Sequence, residues 1–305
     1  MKISIVTTLY NSVPYLDEFY SRMSNSVKKI TNDYEIIFVN DASPDDSLHV
    51  VLNYRQKDKK VKLIDLSRNF GQHKAIMTGL EHTKGDLVFL IDSDLEEAPE
   101  LILDFYKSMN EEKDADVIYG IQKKRKGRLF HRLSGVLFYK IFNLLSDYKI
   151  PENLTTVRLM KREYIDSLIQ HRESEILIGG LWTITGYKQV PYSIVTNHKG
   201  GTSYSLTKKV AMFINSITSF SSKPLLYIFY IGLIISIISM GFVIYLFVEK
   251  VFYGIPVPGY TSLIVSVWFT GGIIIFSIGL VGIYLSRVFM EVKNRPYTII
   301  KRKYD

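Results

Sequence analysis

The stretch LVFLIDSDLEEAPE, Leu87 to Glu100, is an apolar run that ends in acid. Leu87 to Ile91 has the length and composition of a buried strand. Asp92, Ser93 and Asp94 follow at once, and Glu96 and Glu97 add two more carboxylates. Like charges confined to one small site raise the cost of ionising each other. Such a cluster is either solvated or neutralised by a cation. Residues i and i+2 of an extended segment point the same way, so Asp92 and Asp94 can face one cavity. Two carboxylates there suit Mg²⁺ or Mn²⁺, hard cations that take oxygen ligands and share substrate phosphates. D-x-D by itself also occurs in solvated turns; its weight comes from its place in the chain.

On both sides of this stretch, strand and helix patterns alternate. KISIVTTL, YEIIFVND, VKLIDLS, DLVFLID and ADVIYG read as strands. VPYLDEFYSRMSNSVKKI, SPDDSLHVVLNYRQ, GQHKAIMTGLEHT and PELILDFYKSMNEE carry helical periodicity between them. The alternation predicts an α/β fold, with a mostly parallel Rossmann-like sheet covered by helices. In such sheets ligands bind beyond the carboxyl ends of the strands. Those ends hold Thr7 to Asn11, Asn40 to Ser43, Ser67 to Asn69, and Asp92 to Asp94.

Two common nucleotide devices are missing. TTLYNS follows the first strand in place of G-x-G-x-x-G, and no G-x-x-x-x-G-K-[ST] occurs. A bound diphosphate would need its positive charge from elsewhere, and a cation on Asp92 and Asp94 would supply it. Asp41 ends the second strand and reads equally as a contact for a base or ribose and as a cap for the helix after Pro44. Arg68 and Asn69 end the third strand, and Gly71 would let backbone approach a ligand. The run KKRKGR, Lys123 to Arg128, carries five basic residues. It reads as a solvated turn or as an attraction for anionic headgroups, and the apolar segments downstream favour the second.

The formal net charge is +8, which suits an anionic partner. The chain has no Cys, excluding disulfides, thiolate metal sites and cysteine nucleophiles. No cleaved signal peptide is expected from the first residues. Leu225 to Val248 and Tyr260 to Ser286 contain no charged residue, and each is long enough to cross a bilayer as a helix. EKVFYGIPVPGY between them makes a helical hairpin. Lysines and arginines flank the pair on the outside, placing the large N-terminal part and the C-terminus in the cytoplasm by the positive-inside rule. The expected organisation is a catalytic domain over 1–203, an interfacial amphipathic helix over 204–222, two transmembrane helices within 223–286, and a basic cytoplasmic tail over 287–305. A nucleic-acid enzyme would explain the charge but not the spans, so no nucleic-acid partner is expected.

YEIIFVNDASPDDS, LSRNFGQHKAIMTGLEHTKGD, LIDSDLEEAPE and GLVGIYLSRVFMEVKNRPY together resemble the membrane-bound polyprenyl-phosphate glycosyltransferases of glycosyltransferase family 2. That group includes dolichyl-phosphate mannose synthase, bactoprenyl glucosyltransferases and undecaprenyl-phosphate aminoarabinose transferase. The resemblance covers nearly the whole chain. It implies a GT-A fold, a nucleotide-sugar donor (UDP-linked), inverting transfer, a polyprenyl phosphate acceptor, Mg²⁺ or Mn²⁺, an inner-membrane location and a homo-oligomer such as a tetramer. By position, Thr8, Leu9, Tyr10, Asn11, Asp41, Arg68 and Ser93 would belong to the nucleotide site. Asp92 and Asp94 would hold diphosphate and metal, with Glu96 where the family keeps an amide. Arg158, in TTVRLMKREY, would stand near the transferred phosphates as a catalytic residue. Arg125, Arg128, Arg158, His198 and Lys199 would face the acceptor phosphate.

Several positions depart from the family pattern. Thr8-Leu9-Tyr10-Asn11-Ser12 replaces P-x-Y-N-E, and Thr155-Thr156-Val157 stands where Gly-Asp or Ser-Gly is usual. PYSIVTNHKGGTSY lacks the family's arginines. The sugar is not legible. These changes also motivate the alternative that the chain is a catalytically impaired, membrane-tethered scaffold in a glycan assembly pathway.

Overall fold

In the computed structural model, the described residues are 1–122, 151, 153–173, 178–196, 221, 223–253 and 259–305. The chain divides into two compact units. One contains an eight-stranded sheet and includes Arg295–Asp305; the other contains two long helices.

The strands are β1 (Ile3–Leu9), β2 (Tyr34–Asn40), β3 (Val61–Leu66), β4 (Leu87–Leu90), β5 (Val117–Gln122), β6 (Leu154–Lys161), β7 (Gln189–Ile194) and β8 (Ile300–Tyr304). Their order across the sheet is β7-β5-β6-β4-β1-β2-β3-β8. β1, β2, β3 and β4 run parallel, as the alternating pattern requires. β6 lies antiparallel between β4 and β5, and β8 lies antiparallel on β3, so the sheet is mixed. This is a GT-A-like arrangement. All seven residues of β2 are buried, as expected for a strand covered on both faces.

The helices of this unit are α1 (Val13–Val27), α2 (Ser47–Lys57), α3 (Gln72–Glu81), α4 (Leu101–Glu111), α5 (Arg162–Leu168) and α6 (Ile178–Ile184). Pro14 opens α1, where a missing N–H costs nothing. Leu16, Phe19, Met23 and Val27 then recur at helical spacing and enter the core. Ile102, Phe105 and Met109 do the same for α4. α3 lies so close to the sheet that a Cβ on Gly79 would stand 2.5 Å from Val6 Cγ1 and 2.9 Å from Val39 Cγ2. Gly79→Ala should therefore push α3 off β1 and β2 and cost about 1–3 kcal/mol, read as a lower midpoint in thermal unfolding.

The direction of the chain reverses at β1. From β1 it steps to β2 and then β3; α3 then carries it back to β4 on the other side of β1. The carboxyl ends of β1 and β4 thus border the switch point, the place where open α/β sheets bind ligands.

The opposite end of the sheet is tied by a buried carboxylate. Glu35 is 2% exposed and accepts hydrogen bonds from Ser4 Oγ at 2.6 Å and from the Lys84 backbone N–H at 2.8 Å. Lys62 and Lys2 bring their ammonium groups to 2.9 and 3.1 Å. One side chain thereby gathers the amino ends of β1, β2 and β3 and the segment before β4.

The second unit contains α7 (Lys223–Tyr253) and α8 (Tyr260–Val292). Each runs past the charge-free segment read from the sequence. Within α8, Phe269–Val292 is apolar and long enough to cross a membrane. Large side chains such as Phe269, Ile275, Phe276 and Leu285 stand more than half exposed along it. The expected interfacial helix lies outside the described residues. Within the segment read from the sequence as a basic tail, Ile300–Tyr304 form β8. Ile300, Arg302, Lys303 and Tyr304 pair with β3, and the Ser67 N–H donates to Ile299 O at 2.9 Å.

Candidate functional site

Leu9 ends β1 inside the core with its side chain fully buried, so it brings only backbone to the strand ends. Its carbonyl accepts the Asp41 N–H at 3.2 Å. Beyond it the chain turns sharply. Asn11 has φ 56°, its N–H donates to Ser43 Oγ at 2.8 Å, and the Tyr10 N–H donates to Ser12 Oγ at 3.1 Å. Tyr10 is left 53% exposed, an aromatic ring free to cover a ligand. Ser93 ties this turn to the end of β4: its hydroxyl donates to the Thr8 carbonyl at 3.0 Å and to Ser12 Oγ at 3.1 Å. Thr8, Tyr10, Asn11 and Ser93 are therefore brought together across the switch point.

Asp41 is 3% exposed, and its two oxygens accept the backbone N–H groups of Phe70 at 2.7 Å and Gly71 at 2.9 Å. It caps no helix through its side chain; it holds the turn after β3. Gly71 has φ 96°, a conformation that strains any other residue, and this lets both N–H groups converge on one carboxylate. Burial raises the Asp41 pKa above the ordinary carboxylate range, against the pull of the two N–H groups and the Arg68 charge. Arg68 is exposed, lies 4.0 Å from the Phe70 ring centroid, and donates to the Asn69 carbonyl at 3.0 Å.

The acidic cluster occupies the end of β4. The Asp94 carboxylate accepts the Glu96 N–H at 2.9 Å across Leu95, whose φ is 62°. Asp92 accepts a hydrogen bond from Gln72 Nε2 at 3.0 Å. Burial, the Asp94 charge and the Glu96 charge push Asp92 up to about 6, while the Thr156 hydroxyl and Gln72 favour its ionised form. Glu97 is 6% exposed, and burial together with Asp92, Asp94 and Glu96 pushes it up to about 8. Burial and the neighbouring acids thus bias Glu97 toward its protonated form.

This donor set fits a hard divalent cation. It consists of carboxylate oxygens, and their mutual repulsion is what a cation relieves. Among the described residues no group of three or more His, Cys, Asp or Glu is arranged to hold a metal ion. The fit is therefore to one or two carboxylates, with the remaining positions left for water and a phosphorylated ligand.

Arg158 stands on β6. It pairs with Leu90 of β4 and Tyr119 of β5, and its side chain is fully buried. Its guanidinium lies over the Trp182 ring, 3.0 Å from the centroid, and its Nε donates weakly to the Thr156 carbonyl at 3.4 Å. Among the described residues, neither terminal nitrogen of Arg158 has a hydrogen-bond partner. Burial lowers its pKa to about 9. Arg125, Arg128, His198 and Lys199 lie outside the described residues.

Sequence reasoning passed over Gln72, named Thr156 only as a departure from the family pattern, and gave Glu97 no role. Glu97 was visible as a fourth acid, but nothing local marked it as buried. Gln72 is an amide twenty residues before Asp92, and only the return of α3 to the sheet brings the two together.

Comparisons with known proteins place the chain in a family. The model of the family described as Glycosyl transferase family 2 matches residues 4–169. The chain is 50% identical over 304 residues to a protein of Mycobacterium tuberculosis (strain CDC 1551 / Oshkosh) called "Putative glycosyltransferases", covering 100% of this chain and 89% of that one. It is 32% identical over 306 residues to the SfII prophage-derived bactoprenol glucosyl transferase of Shigella flexneri, covering 100% and 99%. Among solved structures, glucosyl-3-phosphoglycerate synthase from Mycobacterium tuberculosis in complex with phosphoglyceric acid is similar in fold. It has a TM-score of 0.51 and 18% identity, and the match covers 71% of this chain and 78% of that one. The matched region runs from β1 through α5 and includes the strand ends that carry Asp41, Asp92 and Asp94, and on this ground the chain belongs to glycosyl transferase family 2 and is a glycosyltransferase.

Proposed function

We propose that this glycosyltransferase moves a sugar from a UDP-linked donor to a polyprenyl phosphate, with inversion at the anomeric carbon, at the cytoplasmic face of the inner membrane. The carrying observation is the repelling cluster of Asp92, Asp94, Glu96 and Glu97 at the switch point, beside the turn held by Asp41. The apolar stretch Phe269–Val292 supports a lipid acceptor, as does the full-length similarity to a bactoprenol glucosyl transferase. Two spans with a cytoplasmic catalytic domain follow from the charge-free runs and their basic flanks.

Asp94 and Asp92 would hold the cation, with Glu96 beside them. A bound Mg²⁺ or Mn²⁺ would offset the charge that grows on the leaving diphosphate. The chain's own part is positioning. Tyr10 would cover the base, the Phe70–Gly71 turn on Asp41 would set its depth, and Asn11 and Ser93 would fix the strand ends around the ribose and diphosphate. A phosphate monoester is already largely anionic near neutral pH, so the acceptor needs little deprotonation to attack. Orientation and charge stabilisation would then provide most of the rate. Glu97, biased toward its protonated form, would keep the cluster from carrying its full negative charge. Arg158, with Arg125, Arg128, His198 and Lys199, remains the proposed set for the transferred and acceptor phosphates.

The test is incubation of the detergent-purified full chain with UDP-sugars, undecaprenyl phosphate and Mg²⁺ or Mn²⁺. The expected product is a polyprenyl phosphosugar, resolved by mass. Intact protein that yields no such product over a broad panel of UDP- and GDP-sugars would overturn the acceptor assignment.

A further inference from the structure

We propose that Gln72 is a positioning residue that holds Asp92 in the orientation in which it receives the metal and diphosphate, an inference that rests on the donor-site reading above. Gln72 is the first residue of α3, and its side chain is exposed toward the strand ends. Its Nε2 donates to Asp92 Oδ1 at 3.0 Å. The Thr156 hydroxyl, on β6, also favours the ionised carboxylate. Both donors are neutral. They fix the carboxylate without cancelling the charge that attracts a cation, as a lysine or arginine would do.

The same turn serves a second acid. Phe70 and Gly71, immediately before Gln72, give their N–H groups to Asp41 at 2.7 and 2.9 Å. Three successive residues thus join the carboxylate proposed beside the base to the carboxylate proposed beside the diphosphate. Ser67 anchors the start of this segment by donating to the Ile299 carbonyl just before β8. The spacing between Asp41 and Asp92 is therefore set by the Phe70–Gln72 turn. Groups that orient a metal ligand typically change metal affinity by about 10–100-fold when removed.

The experiment measures Mn²⁺ uptake by electron paramagnetic resonance on the full chain in detergent, with saturating UDP. It compares the wild type with Gln72→Met, Gln72→Ala and Asp92→Asn. Methionine keeps the length of the side chain but has no N–H to give. Gln72 is exposed, so both of its variants should unfold at the wild-type temperature. Their Mn²⁺ affinity should fall about tenfold, with UDP affinity in the absence of metal unchanged. Mn²⁺ affinities within twofold of wild type in both Gln72 variants, alongside lost binding in Asp92→Asn, would overturn the positioning role. Equal affinity for wild type and Asp92→Asn, or no uptake by the wild type, would overturn the donor-site reading itself. If one Gln72 variant is unstable, the other decides.

Discussion

Asp94→Asn is expected to lower turnover by about 10³-fold, or ~4 kcal/mol of transition-state stabilisation, while leaving the fold intact. The substitution is close to isosteric. Asn retains an oxygen that can accept the Glu96 N–H now bound at 2.9 Å, so the strained turn at Leu95 keeps its closure. What disappears is one negative charge at the proposed metal position. The same loss should help the metal-free protein. Asp94 raises the cost of ionising both Asp92 and Glu97, so removing its charge relaxes a repulsion that the folded state alone bears. A carboxyl whose folded pKa is raised contributes most below its unfolded pKa and loses that contribution as pH rises through the folded value. For Glu97 the interval runs from about 4.5 to about 8. Metal-free Asp94→Asn should accordingly melt at or above the wild-type temperature at pH 8, with little difference at pH 4. The two measurements are independent. Undiminished turnover would remove the metal role, and a lower melting temperature at pH 8 would show that the cluster is not under electrostatic strain.

The sequence made the first half of the sheet legible because β1 to β4 are apolar runs bounded by turn residues. Asp92 and Asp94 stood out for a related reason: two acids at the end of a buried strand need a physical explanation. The rest depends on pairing between distant segments. β6 carries a buried arginine and two threonines, so neither a clean alternation nor an apolar run marks it. β8 is Ile-Lys-Arg-Lys-Tyr, a composition that reads as solvated tail; it suits a sheet edge, where basic side chains discourage pairing with other chains. Asp41 shows a different limit. Its two readings are a ligand contact and a cap for the helix after Pro44; its side chain binds two backbone N–H groups from another loop, so it does not act as that cap. Spacing within one segment could not reveal that loop.

The C-terminal strand also bears on the proposed site, because the segment before it is fastened to α3. Tyr297 Oη donates to Glu81 at 3.0 Å, and the Thr298 and Thr78 hydroxyls meet at 2.8 Å, fastening the segment before β8 to α3. Asp65, on β3, accepts from Asn40 Nδ2 at 2.8 Å one residue before Asp41. Truncation before Tyr297 should therefore expose the β3 edge and loosen the Ser67–Gln72 segment. The expected result is a severalfold rise in donor KM with a smaller change in kcat. An unchanged KM would mean that β8 only covers the edge.

Glu35 should produce the largest loss of stability, at the end of the sheet away from the proposed site. Its pKa is lowered to about 2: hydrogen bonds from Ser4, Lys62, Lys84 and Lys2 together outweigh burial, the largest single contribution, which acts in the other direction. Against an ordinary value of 4.5, the linkage is worth about 3 kcal/mol at neutral pH. The sign follows from the depressed pKa. The contribution is complete above the unfolded pKa and is lost as pH falls through the folded one, so the window lies between about 4.5 and about 2. Glu35→Gln should therefore be less stable than wild type by about 3 kcal/mol at pH 7, and the two proteins should converge toward pH 2. Denaturant unfolding of the detergent-solubilised chain across that range, followed by tryptophan fluorescence, measures both arms. A deficit that persists undiminished at pH 2 would mean that Glu35 acts through shape and hydrogen bonding, with its charge contributing little. Loss of the gathered strand ends should also leave the switch point less well ordered, so the variant's activity should fall with its stability and recover on cooling. That recovery distinguishes a stabilising group at the amino end of the sheet from a member of the site at the carboxyl end, where Asp94→Asn would stay inactive at every temperature.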